Sequence, residues 1–106
     1  MGPAPNERHM SPNRIQYFGS WGSYQVPLRP QEPLEEVEAR QRESYYVGHF
    51  DHHDRLVRFD KYLGGQLEWT DHYTYRDDGT LALRRMIQSN GEERHQTFDA
   101  YGRVET

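Results

Sequence analysis

Five clusters of turn-forming residues divide the chain after Ser44 at intervals that suit strands: Asp51 to Asp54, Leu63 to Gly65, Asp77 to Gly79, Asn90-Gly91 and Ala100 to Gly102. Gly, Asn and Asp tolerate the positive φ angles of tight turns, so each cluster marks a place where the chain reverses. The segments between them, about residues 45 to 51, 55 to 62, 66 to 75, 80 to 88 and 93 to 99, read as strands. Consecutive strands joined this closely pair antiparallel, and a meander over residues 44 to 104 follows. Asn90-Gly91 is expected to form a two-residue turn that pairs Ser89 with Glu92.

The meander carries an internal echo. Phe50-Asp51-His52-His53-Asp54-Arg55-Leu56, Tyr75-Arg76-Asp77-Asp78-Gly79-Thr80-Leu81 and Phe98-Asp99-Ala100-Tyr101-Gly102-Arg103-Val104 share an aromatic, a turn residue four on and an aliphatic six on. The copies are offset by 25 and 23 residues, a hairpin-sized period. At Phe98, Asp99, Gly102 and Arg103 the last copy resembles the tyrosine-aspartate repeats of large bacterial shell-forming toxin proteins. In the first copy Asp54 stands where those repeats have glycine. From Tyr17-Phe18 through Pro33-Leu34 to Asp78-Gly79 the chain is similar to a group of short bacterial β-meander proteins of unassigned function, and that similarity implies no activity.

Upstream the pattern is looser. Residues 1 to 13 contain Pro3, Pro5, Pro12, Asn6 and Asn13 without apolar periodicity, and are expected to be a disordered arm. Arg14 to Gly19 and Tyr24 to Leu28 read as short strands, with a turn, or a flap, around Trp21, and Pro27 confines the second strand to an edge. Pro33 suits a helix start. The acidic-to-basic order from Glu35, Glu36 and Glu38 to Arg40 and Arg42 suits a helix over residues 33 to 42. Its stripe of Leu34, Val37 and Ala39 is narrow, which places it on the sheet rim. The expected fold is mainly β: one domain over residues 14 to 106, a curved antiparallel meander or half-barrel of five to seven strands with one short helix.

Leu, Ile, Val and Phe supply only 18 of the 106 residues, whereas there are 14 aromatics, 8 of them Tyr. A thin, Tyr-rich core follows, and with no Cys to staple it a homodimer is the expected state. The lack of Cys excludes disulfides, thiolate metal sites and Cys nucleophiles, and fits a cytoplasmic protein. No apolar run approaches a membrane span. A net charge of -4, with a single Lys at position 61, argues against nucleic-acid binding.

Counting outward from the turns places Tyr46, Val57, Phe59, Leu81, Leu83, Ile87 and Phe98 on one face as the core. The other face then gathers Tyr45, Val47, His49, Leu56, Arg58, Asp60, Trp69, Asp71, Tyr73, Arg84, Met86 and His95. There Arg58, Asp71 and Arg84 form a cross-strand charge ladder, while His72 and His95 fall on opposite faces. That mixture of aromatic and ionisable groups is the expected pocket for a small organic ligand, anionic or carbonyl-bearing, without metal or other cofactor. In a proton-transfer enzyme of isomerase, cyclase or dehydratase type, Asp60 and Asp71 would act as base and His95 or Tyr73 as acid. Arg58 and Arg84 would hold the anion and Trp69 would stack, with Tyr45, His49 and Met86 completing the wall. The alternative is a non-catalytic interaction or self-assembly module. His49, His52 and His53 form the densest imidazole cluster, but at a hairpin tip their rings should diverge, and metal is expected to be dispensable.

Overall fold

The computed structural model describes residues 14–22 and 26–105. The expected arm, residues 1 to 13, lies outside them. Among the described residues eight strands form one antiparallel sheet: β1 (Arg14–Gly22), β2 (Arg29–Leu34), β3 (Ser44–Phe50), β4 (Leu56–Leu63), β5 (Gln66–Tyr75), β6 (Leu81–Gln88), β7 (Glu93–Phe98) and β8 (Val104–Glu105). Their spatial order is β2-β1-β3-β4-β5-β6-β7-β8, so every strand from β3 onward neighbours the next in sequence. The meander is present, with one strand more than the upper expected count.

Three upstream expectations are corrected. β1 runs on through Trp21, which pairs with Pro30 and does not turn. The second strand is Arg29–Leu34 and not Tyr24 to Leu28; residues 23 to 25 lie outside the described residues. Pro30 and Pro33 therefore sit in an edge strand, the sheet position where a missing N–H costs no ladder bond. The helix shrinks to α1 (Glu36–Arg40), because Pro33 and Leu34 are spent on β2. Ala39 is its buried residue, packed against Tyr45 and Val47, while Val37 stays 71 % exposed.

Four turns share one hydrogen-bond pattern. In the turns starting at Asp51, Arg76, Gln88 and Asp99, the first residue's N–H donates to the fifth residue's carbonyl, and the fourth N–H donates back to the first carbonyl. Each closes a three-residue loop with its last residue in the left-handed region, here Asp54, Gly79, Gly91 and Gly102, a recognised hairpin solution. The turn residue four after the aromatic in the sequence echo is this left-handed position. Asn90-Gly91 is accordingly corrected from a two-residue to a three-residue loop: Gln88 N–H bonds the Glu92 carbonyl, and Asn90 Oδ1 accepts from Glu92 N at 2.9 Å. The two-residue turn lies instead at Gly64-Gly65, where both φ angles are positive and Leu63 pairs with Gln66.

The core face of the sheet carries Phe18, Phe59, Leu56 and Tyr73, covered by Leu28 and flanked by Tyr46, Phe50, Trp69 and Leu81. Tyr46 stacks on Phe59 with ring centroids 5.4 Å apart. Gly48 makes room for this packing, since a Cβ there would lie 3.0 Å from the Phe18 and Phe50 rings. The opposite face, the helix face, buries Ala39, Tyr45 and Val47 in a smaller cluster.

Candidate functional site

Observed register splits the expected pocket in two. β4 pairs with β5 so that Arg58 opposes His72, Phe59 opposes Asp71 and Asp60 opposes Thr70. The expected pairing of Arg58 with Asp71 is one residue out, and a shift of one transfers a whole strand to the other face. Its cause is a bulge between Lys61 and Tyr62, an extra residue that counting from the Gly64-Gly65 turn cannot anticipate. Trp69, Asp71, Tyr73, Arg84 and Met86 lie on the core face, and Tyr45, His49, Arg58, Asp60 and His95 on the helix face. The four residues assigned to proton transfer therefore do not share a site. Leu56 joins the core, whereas Leu83 and Ile87 leave it for the helix face.

On the core face Asp71, 3 % exposed, is the hub. Its Oδ2 accepts from Arg84 Nε at 2.9 Å and Nη2 at 2.7 Å, and from the Tyr73 hydroxyl at 3.0 Å. That hydroxyl also accepts from Leu28 N at 3.2 Å, which ties the segment before β2 to the sheet. Burial first, and then the neighbouring Asp71 carboxylate, push the Tyr73 phenol far above its ordinary value, so it keeps its proton and serves to position Asp71. Arg84 Nη1 reaches Gln96 Oε1 at 3.3 Å. Among the described residues no hydrogen bond reaches Asp71 Oδ1. Above this pair lies a cleft of about 230 Å³ walled by Trp21, Leu28, Trp69 and Met86. Trp21 and Leu28 come from β1 and the connector. Their place here was hidden in sequence because it depends on the connector after β1 reaching across to β5, where Leu28 N meets the Tyr73 hydroxyl.

On the helix face Asp60 is 1 % exposed and accepts from His49 Nε2 at 3.1 Å, Arg58 Nε at 2.8 Å and the Thr70 hydroxyl. Burial works to raise this carboxyl, yet the hydrogen bonds from His49, Arg58 and Thr70 outweigh it and hold it below the ordinary carboxylate range. A smaller hollow of about 170 Å³ opens here between Tyr17, Tyr45, Tyr62 and Arg40. The Tyr45 and Tyr62 rings stack at 5.2 Å and 8°. His72 and His95, expected on opposite faces, both lie on the helix face, in line with Arg58 and Arg85. The His52 and His53 rings, expected to diverge, instead meet at the first turn with centroids 4.0 Å apart and planes tilted by 43°, while His49 bonds Asp60. Among the described residues no group of three or more His, Asp or Glu is placed to hold a metal ion, and no helix is long and apolar enough to cross a membrane.

Comparison with known proteins adds a family and nothing about chemistry. No curated protein and no solved structure matches the chain. A family model described as a family of unknown function, DUF6156, matches residues 10–106. The chain belongs to that family.

Proposed function

We propose that the chain binds a small, neutral, carbonyl-bearing organic molecule in the core-face cleft. The observation that carries this reading is the Asp71–Arg84 pair at the floor of a cleft with two tryptophan walls. With Arg58 on the other face, one cation faces one carboxylate and the pair is balanced, so an anion is favoured less than a neutral group. Arg84 has N–H donors beyond the three engaged, and Asp71 Oδ1 is an acceptor; a carboxamide or hydroxy-carbonyl edge offers the matching acceptor and donor. The cleft's size suits a ligand below drug size. Proton transfer is not part of this reading, because Tyr73 is locked and His95 is on the opposite face.

Both tryptophans of the chain, Trp21 and Trp69, line the cleft, so tryptophan emission reports its occupancy directly. In a screen of small amides, lactams and hydroxy-ketones, a binder should shift that emission and raise the melting temperature. Met86→Ala should weaken the effect while leaving the far-ultraviolet spectrum unchanged. If no such compound changes the emission, the small-molecule reading fails.

One observation favours a second reading, an interaction module: β6 contains no buried residue although it lies inside the sheet, with β5 and β7 on either side. Leu83 and Ile87, both on the helix face, are half-exposed. A partner or a second copy laid across β6 would cover them. Sedimentation showing a dimer that Ile87→Lys disrupts would move this reading ahead.

A further inference from the structure

The register aligns one row of side chains across six strands on the helix face: Ile15, His49, Arg58, His72, Arg85 and His95, each directly opposite the next. Five of the six are basic or imidazole groups. Each end of the row is already neutralised. Asp60 takes His49 and Arg58, and Glu93 takes Arg85, with Nε to Oε2 at 2.8 Å, together with the His95 ring. His72 sits between the two arginines.

From the geometry we infer that His72, Arg58 and Arg85 form a binding site for a tetrahedral oxyanion, distinct from the core-face cleft. Arg58 and Arg85 stand on the strands either side of His72, each directly opposite it, and the charges of both act on its ring. Arg58 spends its Nε on Asp60, and Arg85 its Nε and Nη2 on Glu93; each retains further N–H donors. Groups facing His72 are Arg58 and Asp60 from β4, Arg85 from β6, and Thr70 and Thr74 on its own strand. With His72 neutral, the two arginines and the carboxylates Asp60 and Glu93 cancel. Protonation of His72 supplies the net positive charge, so anion binding and proton uptake are one event. The free protein prepares this: burial, then the charges of Arg58 and Arg85, hold the imidazole below its ordinary value of 6.5, with Asp60 and Asp71 acting weakly the other way. An oxyanion set between the guanidiniums removes that repulsion.

The test is an imidazole proton titration of the whole chain by NMR between pH 5 and 8, with sulfate as the probe and chloride at matched ionic strength as the control. Sulfate does not titrate in this range. Sulfate should raise the His72 pKa by about one unit, equivalent to tenfold tighter binding to the protonated form, and leave His52 and His53 unmoved. Arg85→Gln, on the exposed end of the row, should abolish the rise with the native spectrum otherwise intact. Should Arg85→Gln perturb the fold, Arg58→Lys serves, since it keeps the charge on Asp60 but loses the planar fork, and it too should diminish the rise. Inorganic phosphate and glycerol phosphate, compared with each other because both ionise within this range, separate a free ion from a phosphoryl group on a metabolite: a larger rise with the ester assigns the site to it, an equal one to the ion. Equal shifts in sulfate and chloride, a common shift of all histidines, or a rise that survives both variants would overturn the inference.

Discussion

Asp60 shows how a lean core tolerates a buried charge. A carboxylate out of water is costly unless its lone pairs are met, and here an imidazole, a guanidinium and a hydroxyl all meet it,. Asp60→Asn turns one acceptor into a donor facing donors, and is expected to cost about 3 kcal/mol in urea unfolding. Its pH signature is specific. The folded carboxyl is depressed below 3.8, so its stabilisation is complete above that pH and is lost as pH falls through the lowered value. The acid limb of stability against pH should therefore be shallower in Asp60→Asn than in the parent. It should not vanish, because Asp51, Asp78 and Asp99 are lowered as well. An unchanged limb would mean that Asp60 is not ionised in the fold.

At the scale of elements, the turns explain the sequence echo. Asp51 Oδ1 accepts from the N–H groups of His53 and Arg55 at 2.9 Å, and Asp51 Oδ2 receives Arg55 Nε at 3.0 Å. Asp99 repeats the arrangement with Tyr101 and Arg103, its Oδ2 receiving Arg103 Nε at 3.2 Å. The Asp-to-Arg spacing is thus a turn clasp: one oxygen caps the loop backbone and the other holds the cation. Arg76, which starts the intervening turn, donates instead to the Leu81 carbonyl at 3.0 Å and to the Phe98 carbonyl, joining two neighbouring turns. Glycine is tolerant at the left-handed position, whereas a β-branched residue is strained there. Gly79→Val should cost about 2 kcal/mol. Asp54→Gly, at φ 64°, should change stability by less than about 1 kcal/mol, since the exposed Arg14–Asp54 contact it loses is worth little. Urea midpoints of the two variants check both, and equal losses would show that the left-handed position is not what the echo preserves.

Across the whole molecule the burial is lopsided. β3, β4 and β5 hold Tyr45, Val47, Leu56, Phe59, Asp60, Thr70, Asp71 and Tyr73 in the interior, whereas β6 and β8 contribute no buried residue and β7 only Phe98. Local opening is cheapest where few apolar contacts hold the strands. Hydrogen exchange should accordingly be slow in β4 and β5 and faster by at least about tenfold in β7 and β8. A partner or ligand covering β6 would flatten this gradient, so the same measurement made with a bound compound reports which surface it covers. Uniform protection in the isolated chain would contradict the lopsided core.

The residues themselves determined the strand segments and the reversals after Ser44, because turn chemistry is local: a left-handed position asks for Gly, Asn or Asp whatever surrounds it. They also marked the groups with chemistry to offer, since Trp69, Asp71 and Arg84 do line a cleft, and Asp60 with His49 does form a buried pair. Which of these groups stand together was decided by the tertiary structure. Side chains alternate with a period of two, so a single bulge between Lys61 and Tyr62 moved Arg58 away from Asp71 and beside His72. Trp21 and Leu28 reached the cleft only because the end of β1 and the connector after it reach across to β5, a long-range contact that no local spacing encodes.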